Sequence, residues 1–440
     1  MEEQQRGIGS VLCFAATALS LLLGAAHLWR AGRGDGALLC LLWAAACLGR
    51  AAWMRVLSAA ALFFFCVEWL FTLEALVQMR LAVGAPWMRL AAILLGVAAF
   101  TALAAGMLFS AYGRAWFCRG REQALMQGAA FMLAFVPLYC MARYVPHLLL
   151  AGRFVPGAGV AQAFAAGLWS AFVCGLLADG KRAYRARMRV WRLFSVVFFG
   201  QMLLAAAGWA VFSMSGELHV PVPGVIVAGA VYRGELSFMP VLFLVSVLLA
   251  GSAWCSHLCY FGSWDAWAAS FARPAHHPGP LRRRALSLAV VCGAALLLSR
   301  GASASAAVAC GVALGLAMLP VSAFLSRKKG WAAYCTAICP LGLLACLLGR
   351  LSPWRLRRTA ACTSCGACAR FCRYGALTEK GPAEHGPGLS CTLCRACLNA
   401  CPRGGLCMTF LGKGADGRAE RAFTALVSSM HAVFLFTAMV

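Results

Sequence analysis

Eleven apolar runs constrain this chain more than any other feature; they fall at 8–29, 37–53, 57–78, 88–112, 123–142, 157–178, 193–214, 237–254, 285–300, 305–325 and 423–440. Most of them approach the ~20 residues that a helix needs to cross a hydrocarbon layer. Inside such a layer every backbone N–H and C=O must be paired within its own segment, which a helix achieves. The expected fold class is therefore an all-α polytopic membrane protein with about 10–11 transmembrane helices. Composition agrees, with 62% apolar and only 12% charged residues, against about 45–50% and about 25% in soluble domains. The opening Met1-Glu-Glu-Gln-Gln-Arg6 lacks a basic n-region, and the run behind it is too long for a signal-peptide core. It reads as a retained first helix.

A net charge of +25 invites a nucleic-acid reading. That reading fails, because the basic residues stand in short clusters between apolar runs, where topology and anionic lipid headgroups account for them. Arg50 and Arg55, Arg114 to Arg121, Lys181 to Arg192, Arg282 to Arg284, Arg327 to Lys329 and Arg350 to Arg358 occupy alternate loops. The intervening loops hold only scattered arginines such as Arg33, Arg89, Arg153 and Arg233. The positive-inside rule then makes the amino terminus cytoplasmic, together with everything between residue 350 and the last run. The run Lys181–Arg192 reads as a topology anchor. It separates a six-helix module, residues 1–180, to which no motif assigns a role, from a four-helix core at 181–358.

After that core the material changes. Residues 359–411 hold two copies of one pattern, Cys362-x2-Cys365-x2-Cys368-x3-Cys372 and Cys391-x2-Cys394-x2-Cys397-x3-Cys401-Pro402. Three closely spaced thiolates and a fourth that crosses to the partner site are how two 4Fe–4S cubanes are held in a small α+β domain of the ferredoxin type. By that rule Cys362, Cys365, Cys368 and Cys401 bind one cluster, and Cys391, Cys394, Cys397 and Cys372 bind the other. A structural zinc site would use two C-x2-C pairs and leave two cysteines of each copy unused. The chain has 23 cysteines, yet cluster ligands must be free thiolates, which implies the reducing side of the membrane rather than a disulfide framework. Residues 412–440 end in the last apolar run, read as a membrane helix.

A second repeat lies upstream. Ala253-Trp-Cys255-Ser-His-Leu-Cys259-Tyr-Phe-Gly262 and Ala333-Tyr-Cys335-Thr-Ala-Ile-Cys339-Pro-Leu-Gly342 match position by position in residue class. On a continuous helix, C-x3-C sets two thiols one turn apart on one face. Four such thiols suit a further cluster, a metal ion or a redox dithiol, and the bland alternative is buried apolar cysteine like Cys292 and Cys310. Elsewhere, Glu68 and Glu74 are acids in an apolar run, read either as a quinone or proton site or as a packing carboxyl. His219 beside a Pro/Gly turn, like His27, His147 and His431, has no second histidine at ligand spacing, which argues against haem.

From about residue 190 onward the chain resembles the membrane-bound polyferredoxins of the NapH-like and NosR-like type, on the strength of the C-x3-C pairs, the four-helix core and the twin cluster motifs. The resemblance implies a bacterial cytoplasmic (inner) membrane protein that passes single electrons between a cytoplasmic donor or the quinone pool and a membrane or periplasmic redox partner. Its partners would be oxidoreductase subunits, a flavoprotein among them, besides membrane lipid. Three departures stand out: Tyr260 replaces a motif proline, Arg373 replaces the proline after the first cluster motif, and no flavinylation motif is present, so no intrinsic covalent flavin is expected. Arg373 should add positive charge beside the cluster of Cys372 and raise its potential. No catalytic residue is assigned, since clusters exchange electrons without touching substrate. The alternative function is metal handling or thiol reduction at the C-x3-C pairs, supplied with electrons by the ferredoxin-type domain.

Overall fold

The computed structural model describes residues 2–145, 147–180, 182–213, 222–272, 281–377, 386–413 and 416–437. His219 and its turn lie outside them. The chain forms two compact units, Met1–Ala171 and Phe172–Val440. Among the described residues eight helices are long and apolar enough to cross a membrane, fewer than the ten or eleven expected from the apolar runs. Three runs account for the difference. The run at 37–53 becomes a short helix, the one at 285–300 carries arginines at both ends, and the one at 423–440 forms part of an amphipathic helix.

The first unit contains α1 (Glu2–Arg30), α2 (Gly34–Ala46), α3 (Ala52–Ala82), α4 (Met88–Phe109), α5 (Ala111–Trp116), α6 (Ala124–Tyr144) and α7 (Leu150–Phe154); α8 (Gly159–Ala178) begins in it. Its core is aromatic: Phe131 meets Trp43 edge-on at 5.5 Å, Trp53 at 4.9 Å and Phe164 at 5.7 Å. Trp43 can be buried because its Nε1–H donates to Ser58 Oγ (2.9 Å). Short as it is, α2 returns the chain to the end where α1 begins. Phe14 of α1 stacks on Trp116 at 4.6 Å, and Arg50, just after α2, donates through Nε to the Trp116 carbonyl (3.0 Å). Arg50, Arg114, Arg119 and Arg121 thus gather at one end of the unit, joined by their own bonds to backbone carbonyls. At the other end His27 is not isolated: its Nε2 lies 3.8 Å from Glu68 Oε1, and Arg33 approaches the same oxygen at 3.9 Å. Glu68 is therefore an ion-pairing residue of α3, while Glu74 is exposed on the helix surface.

The second unit continues with α9 (Ala183–Ala206), α10 (Pro223–Arg233), α11 (Phe238–Ala250), a π-turn at Trp254–Leu258, α12 (Tyr260–Ala269), α13 (Leu281–Gly301), α14 (Ala304–Lys329), α15 (Ala333–Ala337) and α16 (Pro340–Leu348). Next come β1 (Trp354–Arg358), α17 (Ala367–Phe371), α18 (Ala396–Ala400), β2 (Leu406–Phe410) and α19 (Arg418–Thr437). The two strands pair antiparallel, from Trp354 opposite Phe410 to Arg358 opposite Leu406. This ribbon, α17, α18 and the start of α19 enclose a small core around Leu356, Leu406, Met408 and the fully buried Phe423. The helical core next to it is built on Trp191, Phe194, Phe198, Phe243, Trp254, Phe261 and Tyr334. Met430 packs against both cores, so α19 ties the cysteine-rich module to the helices.

Candidate iron–sulfur sites

Each cysteine loop of the module is shaped by residues with positive φ. Ser364 (φ 54°) and Gly366 (φ 71°) bend the first, and Leu393 (φ 50°) and Arg395 (φ 61°) bend the second. Such a left-handed geometry is cheap only for glycine, so Ser364, Leu393 and Arg395 are held in it by their surroundings. Two left-handed bends turn three successive thiols toward one point. Cys362, Cys365, Cys368 and Cys401 line one pocket; Cys372, Cys391, Cys394 and Cys397 line another. The crossing is made by the short helices, since α17 carries Cys368 into the first pocket and hands Cys372 to the second, while α18 carries Cys397 and hands back Cys401. Backbone N–H groups cap the crossing sulfurs, Ala376 to Cys372 at 3.3 Å and Gly405 to Cys401 at 3.2 Å.

The C-x3-C pairs do not share a helix face. Cys255 sits in the π-turn, and Cys259 has extended backbone (ψ 109°) and caps α12. Likewise Cys335 is on α15, and Cys339 (ψ 117°) caps α16. In both copies the helix breaks between the two cysteines, and the second sulfur accepts a bond from the N–H of the glycine three residues on, Gly262 or Gly342, at 3.3 Å. The glycines leave room for this break: a Cβ on Gly262 would stand 2.9 Å from the Cys255 carbonyl oxygen, and one on Gly342 2.8 Å from Arg284 Nη2 and 3.1 Å from the Cys335 carbonyl oxygen. Tyr260 occupies the N1 position that Pro340 holds in the second copy, so the missing proline leaves the shape of the loop unchanged. Its ring stacks on Phe198 at 4.3 Å.

These breaks bring all four thiols to one buried pocket, with Cys346 as a fifth. Helix α9 fixes the first copy through residues four apart: Arg187 donates to the Ser256 carbonyl (2.7 Å), Trp191 to that of Cys259 (2.9 Å) and Ser195 to that of Tyr260 (2.7 Å). Arg187 is thus a buried structural residue and not only part of a basic anchor. The second copy is fixed by the buried Asp265, whose carboxylate accepts from Ser326 Oγ (2.5 Å) and from the Cys335 N–H (2.9 Å).

The pockets form a series, the C-x3-C pocket adjoining that of Cys391 through shared residues and α17 and α18 linking the latter to that of Cys365. Tyr374 and Thr392 line both the C-x3-C pocket and that of Cys391, and Ser252 and Ser256 donate to the carbonyls of Cys391 (2.6 Å) and Thr392 (2.7 Å). Electrostatics differ along the series. In the outermost pocket Cys365 is exposed, and the Ala367 N–H holds its thiol below the ordinary value. Farther in, burial pushes Cys391 and Cys397 up, with neighbouring thiols adding to the shift. Burial likewise raises Cys259 to about 12 and Cys339 to about 11. Four anionic sulfurs can therefore collect here only around a compensating positive core. Among the described residues no three His, Cys, Asp or Glu side chains form a single-ion site. In each pocket four thiols line one shared space, and four thiolates are the donor set of a 4Fe–4S cluster.

Arg373, expected from the sequence to act on the cluster of Cys372, is placed otherwise, and Arg395 and Arg284 carried no legible sign. Arg373 does not turn toward the sulfurs; its Nη1 donates to the carbonyls of Ala269 (2.8 Å), Ala272 (2.6 Å) and Gly330 (2.8 Å), clamping the module to the ends of α12 and α14. Arg395 is buried beside the second pocket and reaches Thr424 and, at 3.6 Å, Glu420 of α19. Arg284 turns inward to the C-x3-C pocket although Arg282 and Arg283 are exposed. Cys346 alone had a signal, since it follows Cys339 by seven residues and so shares its helix face.

The 4Fe–4S binding domain family Fer4_5 matches residues 234–284 and 312–359. One segment holds Cys255 and Cys259, the other Cys335 and Cys339, while the Cys362–Cys401 stretch lies beyond both. No curated protein and no solved structure matches the chain. With eight such apolar helices among the described residues, this is a multi-pass membrane protein that carries a 4Fe–4S binding domain.

Proposed function

We propose that the chain is an iron–sulfur electron conduit with three centres in line: one at Cys362, Cys365, Cys368 and Cys401, one at Cys391, Cys394, Cys397 and Cys372, and an inner one at Cys255, Cys259, Cys335 and Cys339. The observation that carries this reading is the shared wall of the pockets, in which Tyr374 and Thr392 touch both inner sites. One-electron carriers separated by a single layer of side chains need no substrate channel. The polarity of the basic loops supports a cytoplasmic position for the module, in the inner membrane of a bacterium. Electrons then enter or leave at the exposed outermost centre, exchanged with a cytoplasmic donor, and continue through the inner centre toward the quinone pool or a redox partner of the NapH-like and NosR-like kind. Any flavin belongs to a partner subunit.

Anaerobic purification of the full chain with iron and acid-labile sulfide analysis tests the count, and three cubanes give about twelve irons per chain. Cys255→Ala with Cys335→Ala should lower this to about eight and interrupt electron flow while leaving the two outer signals. Full iron content and unbroken electron flow, with loss only of metal uptake or reduction, would favour the metal-handling reading instead.

A further inference from the structure

We propose that Arg284 is the counter-cation of an anionic metal–tetrathiolate centre at the C-x3-C pocket and raises the potential of that centre. The inference rests on the three-centre reading. Arg284 is only 4% exposed, and it lines the same pocket as Cys255, Cys259, Cys335 and Cys339. Its Nε has no hydrogen-bond partner among the described residues, and its Nη2 reaches only the Cys346 sulfur, at 3.8 Å. A guanidinium is always charged, and burying that charge is costly unless an anion compensates it. A pair of disulfides at the C-x3-C motifs is neutral and leaves the cation alone. Four thiolates around an iron core carry net negative charge, and each added electron makes it more negative. A fixed cation lining the same pocket favours the reduced state most. Arg284 therefore selects a metal–thiolate occupant over a redox dithiol, and it acts through charge without being a ligand.

The test uses the full chain, purified anaerobically, with Arg284→Gln and Arg284→Lys compared by iron and sulfide content and by redox-titrated EPR. In Arg284→Gln one of three midpoint potentials should fall by at least about 59 mV, which is a tenfold loss in a one-electron reduction equilibrium. The other two stay put, and Arg284→Lys keeps most of the wild-type value. If Gln instead empties the pocket, with iron falling from about twelve to about eight per chain, restoration by Lys supports the same role through affinity. Unmoved potentials in an iron-replete Arg284→Gln protein, or equal iron loss in both variants, would overturn the proposal. About eight irons in the wild type and both variants would refute the three-centre reading itself, and this inference with it.

Discussion

Replacing Arg373 with alanine should loosen the cluster module from the helices rather than retune a cluster. One nitrogen, Nη1, serves three carbonyls at 2.6–2.8 Å, but it has only two hydrogens, so the set is worth two bonds and not three. Hydrogen bonds from a charged donor contribute about 1.5–3 kcal/mol each, which gives about 3–6 kcal/mol for the clamp. The site is half-buried, and water can replace part of what is lost, so the lower end applies. Even ~3 kcal/mol shifts the local opening equilibrium roughly a hundredfold. The rival effect is electrostatic, from a cation next to Cys372. Two of the acceptors belong to the last residues of α12 and the loop after it, and the third to the cap of α14, where the negative ends of the helix dipoles offset much of that charge. The assay is limited proteolysis at the junction of α16 and β1, alongside heat-induced loss of cluster absorbance, in detergent and under argon. Faster cleavage and earlier bleaching are expected, with near-constant potentials. Wild-type resistance to both, combined with a tenfold change in one reduction equilibrium, would refute the clamp and restore the electrostatic role.

Gly262→Ala and Gly342→Ala should each cost about 1–3 kcal/mol of overpacking, because the new methyl meets a cysteine carbonyl oxygen in either copy. Iron analysis should show loss of the inner centre alone, and full occupancy would mean that the helix breaks can shift. Arg395→Gly suits the left-handed backbone but removes the buried partner of Glu420. Because the Glu420 left behind is partly exposed, loss of the pair should cost about 1 kcal/mol and loosen α19, seen as faster proteolysis after residue 413. Glu68→Gln breaks a partly exposed contact with His27 and Arg33 worth less than about 1 kcal/mol. Quinol-driven reduction of the clusters should be unchanged; a loss of it would instead make α1 and α3 a quinone site.

The sequence by itself determined the membrane-spanning helical class and the twin cysteine loops, because hydrophobic length and residue spacing are local properties. It also revealed the C-x3-C repeat, since two copies of a local device leave the same trace twice, including the glycines that admit the breaks. Their conformation was misjudged: a C-x3-C spacing fits a continuous helix, and only Asp265, Trp191 and the glycine contacts make the broken form the stable one. Eight of the eleven runs fall on described helices long and apolar enough to cross a membrane. The apolar run at 423–440 serves protein as well, since α19 spends Phe423 and Val427 on the core of the cysteine-rich module. Tertiary structure alone decided which arginines matter. Arg187, Arg284 and Arg395 look like topology anchors or loop charges in the chain, and Arg373 like a cation beside a cluster, yet each reaches the pockets or their supports through contacts dozens of residues away. Long-range placement of a charge leaves no periodicity to read, and it is that placement that sets the electrostatic surroundings of the cysteines.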